Sequence, residues 1–262
     1  INAATVAIDT NAAGNDGTIT FSSTINSAAG TNRDLDLVSA TGNVTVSGAI
    51  GATRALATLD INQAGGDGDI TLSGNIGTAL AAGVTGVTRI GNAATADLNL
   101  DGTIYTTNDA TTFTAVSTGT IDIGTAATFT TADDAITFAG ADVKIGDGAL
   151  AVTSGGGAIS FTGDILGTAG GDETVTLNAS GGSTNTVAVK AIGTDTGHVK
   201  SVTITGSGGI TLAGNIFTAN SADNNVSFTG PVTLNAATVA IDTDAVGNDG
   251  TIIFSSSIDS VT

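Results

Sequence analysis

The chain has 262 residues, 40% of them apolar, and a mean hydropathy of +0.32, so its composition predicts a folded chain and excludes a wholly disordered one. Six basic residues against 24 acidic ones give a net charge of −18, which repels phosphate backbones and argues against nucleic-acid binding. The absence of Cys excludes disulfides and thiolate metal sites, the 38 Gly follow no collagen period, and every apolar run is far shorter than the roughly 18 residues of a membrane span.

The first predicted elements lie in a segment that returns at the other end of the chain. NAATVAIDTNAAGNDGTITFSSTINS at 2–27 reappears as NAATVAIDTDAVGNDGTIIFSSSIDS at 235–260, with 21 of 26 positions identical. We therefore interpret 1–233 as one repeat unit and 234–262 as the start of the next. Since residue 1 is not Met, we expect an excerpt of a longer chain whose partners are further copies of the repeat, head to tail.

A shorter phrase recurs inside this unit. Its form is Gly-x-Ile/Val-Thr/Ser-apolar-Ser/Thr-Gly-x-Ile, and its most regular copies begin at Gly17, Gly42 and Gly68. The copies are GTITFSSTI (17–25), GNVTVSGAI (42–50), GDITLSGNI (68–76), GAISFTGDI (157–165), GGITLAGNI (208–216) and GTIIFSSSI (250–258), with weaker forms at 96–104 and 224–232. A second alternating run precedes most copies. Each coil of about 26 residues thus has two strands and a third apolar anchor.

Alternation within the phrase indicates strands with one buried face, as in Ile70-Thr71-Leu72. A single coil cannot bury that face alone, whereas stacked coils pair strand on strand. The sequence therefore predicts an all-β, right-handed parallel β-helix (β-solenoid), the hand following from the usual crossover rule. Nine such coils would advance the unit by about 43 Å. A sandwich of β-hairpins is the alternative, because Asp16-Gly17 and Asp67-Gly68 are typical hairpin links.

The phenylalanines and the aspartates have separate predicted roles. We expect Phe21, Phe138, Phe161, Phe228 and Phe254 to point inward and fill the wider coil cross-sections. The acidic residues are 23 Asp and one Glu, Glu173, and Asp favours turns. Most of the negative charge is therefore expected in the bends between strands.

Phrases such as GDITLSGNI and GGITLAGNI, rich in Ala, Gly, Thr and Asn, resemble the repeat regions of filamentous-haemagglutinin-like adhesins and other giant tandem-repeat bacterial surface proteins. The resemblance covers the whole chain. It implies a secreted, extracellular or cell-surface protein that acts as a stiff stalk or filament, with a role in cell-cell or surface attachment. Neighbouring fibres and cell-surface components are then further partners.

The alternative function is a β-helical carbohydrate-active enzyme, a polysaccharide lyase or hydrolase, with clustered Asp on one face. Candidate carboxylates are Asp133 with Asp134 and Asp34 with Asp36, but neighbours on a strand point to opposite sides, and Asp34 and Asp36 can flank buried Leu35 and Leu37. His198 is the single imidazole and is expected at the surface. We therefore predict no catalytic residues and a non-enzymatic protein.

Two binding chemistries stay open beside this prediction, although no cofactor-binding or metal residues are assigned. Calcium could bind acidic turns such as AGGDGDITL at 64–72, and Asp16, Asp67, Asp172 and Asp249 occupy similar turns. Those turns are two or more coils apart, which disfavours ions shared between neighbouring coils. Ice binding would use flat Thr arrays such as Thr18/Thr20 and Thr203/Thr205.

Overall fold

The computed structural model describes residues 1–12, 15–219, 223–243 and 250–261. Within these ranges the chain forms 27 short strands and no helix, and no helix long and apolar enough to cross a membrane is therefore found there. Every ladder between the described strands is parallel except a two-residue pair, β2 (Asn11–Ala12) with β3 (Asn15–Asp16). The fold is an all-β parallel β-solenoid with coils of about 25 residues.

Each coil contributes to three stacks of hydrogen-bonded strands, numbered here in the order in which the chain visits them. The first stack has eleven strands: β1 (Thr5–Asp9), β5 (Asp34–Val38), β7 (Leu59–Ile61), β9 (Thr88–Ile90), the start of β12 (Thr111–Ile123), the start of β14 (Ile136–Ile145), β16 (Ile159–Phe161), β19 (Thr186–Val189), β21 (Gly209–Leu212), β24 (Val232–Leu234) and β27 (Ile258–Ser260).

The other two stacks follow after bends in the chain. The second stack comprises β4 (Ile19–Phe21), β6 (Val44–Val46), β8 (Ile70–Leu72), β10 (Asp97–Leu100), the ends of β12 and β14, β17 (Ile165–Leu166), a bridge at Ile192, β22 (Ile216–Phe217) and β25 (Ile241–Asp242). The third begins with bridges at Ile25, Ile50 and Ile76 and continues as β11 (Ile104–Thr107), β13 (Ala127–Thr131), β15 (Ala149–Ser154), β18 (Thr174–Ala179), β20 (Ser201–Gly206), β23 (Val226–Thr229) and β26 (Ile252–Phe254).

Parallel pairing explains why the hairpin alternative is wrong. Asp67-Gly68 lies between β7 and β8, which belong to different stacks, so this dipeptide turns a corner instead of reversing a strand. The register places like residues over one another, for example Leu35 over Leu59 in the first stack. Inward residues of the three stacks form one continuous core of aliphatic and aromatic side chains.

The predicted phenylalanine core is confirmed in its interior part. Phe138, Phe161 and Phe228 are buried, while Phe21 and Phe254 are half-buried because they lie in the two end coils. The Phe138 and Phe161 rings stack with 4.6 Å between their centroids. Sequence reasoning missed three further members of this aromatic cluster, which also includes Tyr105, Phe113 and Phe129.

Coil length varies more than the phrase suggests. In the first stack Ile210 pairs with Val232 across a short coil, whereas Thr5 pairs with Asp34 across a long one. The nine-residue phrase consequently changes its position in the coil. Copies between 17 and 104 run from the second stack to the third, those at 157–165 and 208–216 from the first to the second, and those at 224–232 and 250–258 from the third to the first.

Candidate functional site

The corner before the second stack shows what much of the aspartate does. Asp97 is half-buried there, and its Oδ1 accepts hydrogen bonds from the backbone nitrogen and the hydroxyl of Thr120 in the next coil, at 2.8 and 3.0 Å. A hydrogen bond from a backbone nitrogen of the following coil is also accepted by Oδ1 of Asn43, Asp69, Asp142, Asp164 and Asn215. These side chains satisfy backbone groups that the bend leaves without a ladder partner. The prediction that Asp serves the turns is supported at these corners.

Asp34 and Asp36 lie on the outer side of β5, flanking buried Leu35 and Leu37 as expected. Asp34 accepts hydrogen bonds from the hydroxyls of Thr58 at 2.9 Å and Thr5 at 3.2 Å, in the coils on either side. Both oxygens of this carboxylate therefore already connect coils.

Asp36 belongs to an outward row of charged residues on the first stack. Asp60 follows it in register and receives two hydrogen bonds of 2.7 Å from the guanidinium of Arg89, the next residue of the row. Partial burial raises the pKa of Asp36, and the negative charges of Asp60 and Asp9 raise it further, while Arg89 lowers it. The row thus places carboxylates beside a guanidinium on a partly exposed surface.

The other sequence candidates lie apart from this row. Asp133 and Asp134 occupy the bend between β13 and β14. His198 is half-buried in a loop of the later coils, where Lys200 pairs with Asp223 at 3.7 Å. The structure thus does not bring these candidates together at one site.

Tyr105, the single tyrosine, lies in the core instead of on a sugar-binding surface. Its hydroxyl accepts a hydrogen bond from the nitrogen of Gly102 at 2.9 Å. Burial raises the pKa of this hydroxyl, so it stays protonated across the physiological range. The residue therefore has a packing role.

Glu173 is a buried carboxyl group that sequence reasoning did not single out as a core residue. It is 1% exposed, and its Oε1 accepts a hydrogen bond from the hydroxyl of Thr168. Its backbone carbonyl accepts from the nitrogen of Lys200 at 2.6 Å, while Oε2 has no hydrogen-bond partner among the described residues. Its hydrogen bond with Thr168 therefore connects the two ends of the loop before β18.

An open groove of about 460 Å³ lies beside β22. Its wall includes Phe217, Asn215, Thr194 and Asp195. Phe217 is the half-buried aromatic of this surface, which sequence reasoning missed because it follows an inward Ile at the end of a phrase. A two-carboxylate glycosidase mechanism needs a pair of acids, and Asp195 is the carboxylate among the residues that line this groove.

The turns considered for calcium are used in different ways. Asp16 accepts a hydrogen bond from the hydroxyl of Thr41 at 2.6 Å, whereas Asp67 and Asp172 are exposed. Asp249 lies outside the described residues. Among the residues that are described, no group of three or more His, Asp or Glu side chains converges in a way that could hold a metal ion.

The outer side of the third stack carries two parallel rows of mostly hydroxyl side chains. One row contains Thr128, Ala151, Thr176, Thr203 and Ser227, and the other contains Thr130, Thr153, Asn178, Thr205 and Thr229. Ile253 ends the first row. Thr203 and Thr205 therefore lie in an ordered array, whereas Thr20 lies on the second stack.

The last coil exposes the largest apolar side chains of the later part of the chain. Ile252 and Ile258 are 41% and 48% exposed because no described strand covers β26 and β27 on their far side. Ile253 is 46% exposed because it points outward, and Val261, after β27, is 58% exposed. At the other end, β1 pairs with β5 on one side alone, and Val6 and Ile8 are half-buried. Among the described residues, β1 and β27 are thus the outermost strands of the first stack.

Fold and surface together define a parallel β-solenoid with polar outer faces and acidic corners. Comparison with family models, with curated proteins and with solved structures finds no match to the chain.

Proposed function

We propose that this chain is a structural repeat segment of a very large secreted or cell-surface bacterial fibre, where it acts as a stiff stalk or filament. The observation that carries the proposal is the continuous first stack, in which eleven strands pair in register from β1 to β27. Every coil is hydrogen-bonded to its neighbours and packed on one shared core, so bending requires many contacts to be strained together. A rod of this kind is suited to spacing one object from another.

The outer surface is consistent with an extended, hydrated rod. The −18 charge lies largely on Asp side chains at corners and outward strand positions. Like charges at this density keep neighbouring rods apart and soluble. Attachment to cells or surfaces, the adhesin part of the proposal, is supported by the resemblance of the phrases to adhesin repeats.

The test is to locate the native protein on the cells that produce it. An antibody raised against residues 1–262 should label intact cells and decorate thin fibres in electron micrographs. Deleting the gene should remove the fibres and reduce attachment of the cells to surfaces. Label that appears after permeabilisation alone would overturn the surface assignment, and unchanged attachment in the deletion strain would overturn the adhesive role.

A further inference from the structure

The outward positions of the second stack become apolar beside the groove. In register order these positions hold Asp122, Lys144, Leu166, Gly193, Phe217 and Asp242. A Cβ built on Gly193 would lie 2.3 Å from the carbonyl oxygen of Phe217 and 3.4 Å from its Cβ. Because glycine has no side chain, it leaves room beside Phe217 for the groove of about 460 Å³.

The groove lies in the body of the solenoid. Ile216, next to Phe217, pairs with Ile192 of the preceding coil and with Ile241 of the following one. With the exception of Thr238, the lining residues belong to the two coils before β25. Both coils that flank the aromatic residue are therefore within the described chain, and the groove does not depend on where the sequence ends.

One wall of the groove is a tight turn that is closed on itself. The backbone nitrogen of Thr194 donates to the carbonyl of Gly197 at 3.0 Å, and the nitrogen of Gly197 donates to the hydroxyl of Thr194 at 2.9 Å. Since this hydroxyl accepts a hydrogen bond, its own hydrogen can be donated to a ligand. The turn also carries exposed Asp195, which forms no ion pair with the residues that the structure describes.

The amide of Asn215 is held in place by the following coil. Its Oδ1 accepts a hydrogen bond from the backbone nitrogen of Ala240 at 2.9 Å, so the Nδ2 group remains as a donor. The backbone nitrogen of Phe217 donates to the carbonyl of Ile192 at 2.8 Å. A ligand would therefore meet groups that are already positioned, and the groove has the volume of a small-molecule site, about 300 to 1,000 Å³.

The chemistry of these groups favours one class of ligand. An aromatic ring offers a negative face to weakly positive C–H groups, while amide, hydroxyl and carboxylate groups donate and accept hydrogen bonds. A sugar ring has both complements, a flat C–H side and a rim of hydroxyls. A purely apolar ligand would take Asp195 and Asn215 out of water without partners. An extended peptide would find no free strand edge, because β22 already pairs on both sides.

Charge restricts the ligand to neutral sugars. Asp195 lines the groove, Asp242 lies in register with Phe217, and the chain carries a net charge of −18. Lys190, which precedes the groove, is already paired with Asp164 at 3.5 Å. Sugars that carry a carboxylate would therefore be repelled.

We propose that the groove binds a neutral pyranose ring of a glycan, with the ring stacked on Phe217 and its hydroxyls hydrogen-bonded to Asp195, Asn215 and Thr194. The proposal rests on the proposed fibre function and deepens it, because it names the class of partner to which the fibre attaches. With one carboxylate lining the groove, the sugar is bound and not cleaved. Tandem copies of the unit would each carry a groove, so that weak sites add up to firm attachment.

The test uses the full chain with a biotin on a C-terminal tag, displayed on streptavidin tetramers to gain avidity. These tetramers are applied to immobilised neutral oligosaccharides of glucose, galactose, mannose and N-acetylglucosamine. The same oligosaccharides extended with sialic acid or glucuronic acid are applied in parallel. We expect binding to at least one neutral oligosaccharide and weaker binding to its acidic derivative.

Substitutions then identify the site on the chain. Phe217→Ala should weaken binding about tenfold, and Phe217→Tyr, which keeps the ring, should restore most of what Phe217→Ala loses. Asp195→Ala should also weaken binding. Asp67→Ala is its matched control, because Asp67 is equally exposed in an early coil and its removal changes the net charge by the same amount. Circular dichroism verifies that each variant is folded.

Equal binding by folded Phe217→Ala and the unmodified chain would overturn the proposal. A preference for the acidic derivatives, or no binding to any of the neutral oligosaccharides, would overturn it as well. The labelling of intact cells is a separate measurement. A fibre that labels on intact cells but binds no sugar refutes the groove alone, whereas sugar binding by a protein that labels only after permeabilisation refutes the fibre.

Discussion

At the scale of single residues, the aromatic cluster concentrates packing energy in the middle of the solenoid. Phe113, Phe138 and Phe161 stack in the first stack, and Tyr105 and Phe129 stack in the third. Edge-to-face contacts such as that between Phe129 and Phe138 join the two columns. Such pairs add to the free energy of simple burial.

Replacing Phe138 by Ala should lower the free energy of unfolding by about 3 to 5 kcal/mol, because the side chain is fully buried and its two stacking partners cannot close the cavity. Urea titration followed by circular dichroism measures the change. Phe217→Ala is the matched control, since Phe217 is half-buried beside the groove and should lose much less. Equal losses for the two variants would contradict the placement of the cluster.

The corner hydrogen bonds make a second residue-scale prediction. Asp97→Ala should cost about 1 to 3 kcal/mol because the nitrogen of Thr120 loses its acceptor. Asp97→Asn should be close to neutral, since Asn keeps Oδ1 and already occupies equivalent corners at Asn43 and Asn215. Thermal unfolding of the two variants distinguishes the hydrogen bond from the charge. A large loss for Asp97→Asn would show that the charge is the important part.

Asp36 gives a pH-dependent prediction. Its pKa is raised in the folded chain from 3.8, first by burial and then by Asp60 and Asp9, so the folded state binds the proton more tightly than the unfolded state. The stability linked to this group is present below pH 3.8 and is lost as pH rises through the raised pKa. Asp36→Asn should therefore stabilise the chain at neutral pH, and the advantage should shrink on acidification. Denaturant midpoints of the unmodified chain and of the variant are measured across pH. A difference that does not change with pH would show that Asp36 is not the group involved.

At the scale of the strand and its corners, the Gly of the recurring phrase is explained by close approach of coils. A Cβ built on Gly74 would lie 2.4 Å from backbone atoms of Gly48 in the preceding coil, and one on Gly48 would lie 2.2 Å from Ser23. The sequence presents these glycines as turn residues. The structure shows that they also let successive corners approach each other.

Gly74→Ala should therefore destabilise the solenoid, because the methyl group meets backbone atoms that are held by ladders on both sides. Gly170→Ala serves as the control, since its nearest contact would be 3.5 Å away, at the hydroxyl of Thr168. We expect a clear fall in melting temperature for the first variant and an unchanged value for the second. Equal melting temperatures would mean that the backbone at these corners shifts to accommodate the methyl group without a loss of stability.

At the scale of the whole molecule, the number of coils in one sequence repeat determines what a long array would look like. Ile8 lies in the first stack and its counterpart Ile241 lies in the second, so one repeat spans nine coils and one of the three stacks. Nine and one-third coils at about 4.8 Å each advance about 45 Å along the axis, slightly more than the roughly 43 Å expected from nine whole coils. A surface feature such as the groove beside β22 would then recur on three sides of the rod in turn. The array would repeat without rotation after three units.

Cryo-electron microscopy of the native fibre should accordingly show an axial rise of about 45 Å, with about a third of a turn between successive units. The expected rotation follows from the change of stack between Ile8 and Ile241. The coil spacing of about 4.8 Å gives an internal length standard in the same images. The same rise without rotation would contradict the stack assignment at the end of the chain.

Much of the architecture could be predicted from local patterns. Alternation in segments such as Ile70-Thr71-Leu72 specifies a strand with one buried face, and recurrence of the phrase at a regular interval specifies stacking. The inward positions of Phe138 and Phe161 follow from the same alternation. Tyr105 and Phe113 were missed because they belong to coils in which the phrase is weak.

The candidate sites were harder to assess from the sequence, because convergence of side chains depends on which coils and stacks carry them. Alternation correctly predicted that Asp34 and Asp36 flank buried leucines. It could not show that Asp34 already bonds to hydroxyls of both neighbouring coils, or that Glu173 is buried. Those facts depend on the register between coils and on the path of a loop.

The sequence by itself determined the fold class, the inward and outward sides of the strands, and the near-identity of the two end segments. The tertiary structure alone decided the stack to which each strand belongs and the strand with which it pairs in the neighbouring coil. All three stacks are built from similar alternating segments, so the phrase fits any of them. The loops between strands differ in length, so one coil joins Ile210 to Val232 and a longer one joins Thr5 to Asp34. The sum of these unequal coils determines that one sequence repeat spans nine coils and one stack, and this sum depends on every bend in the folded chain.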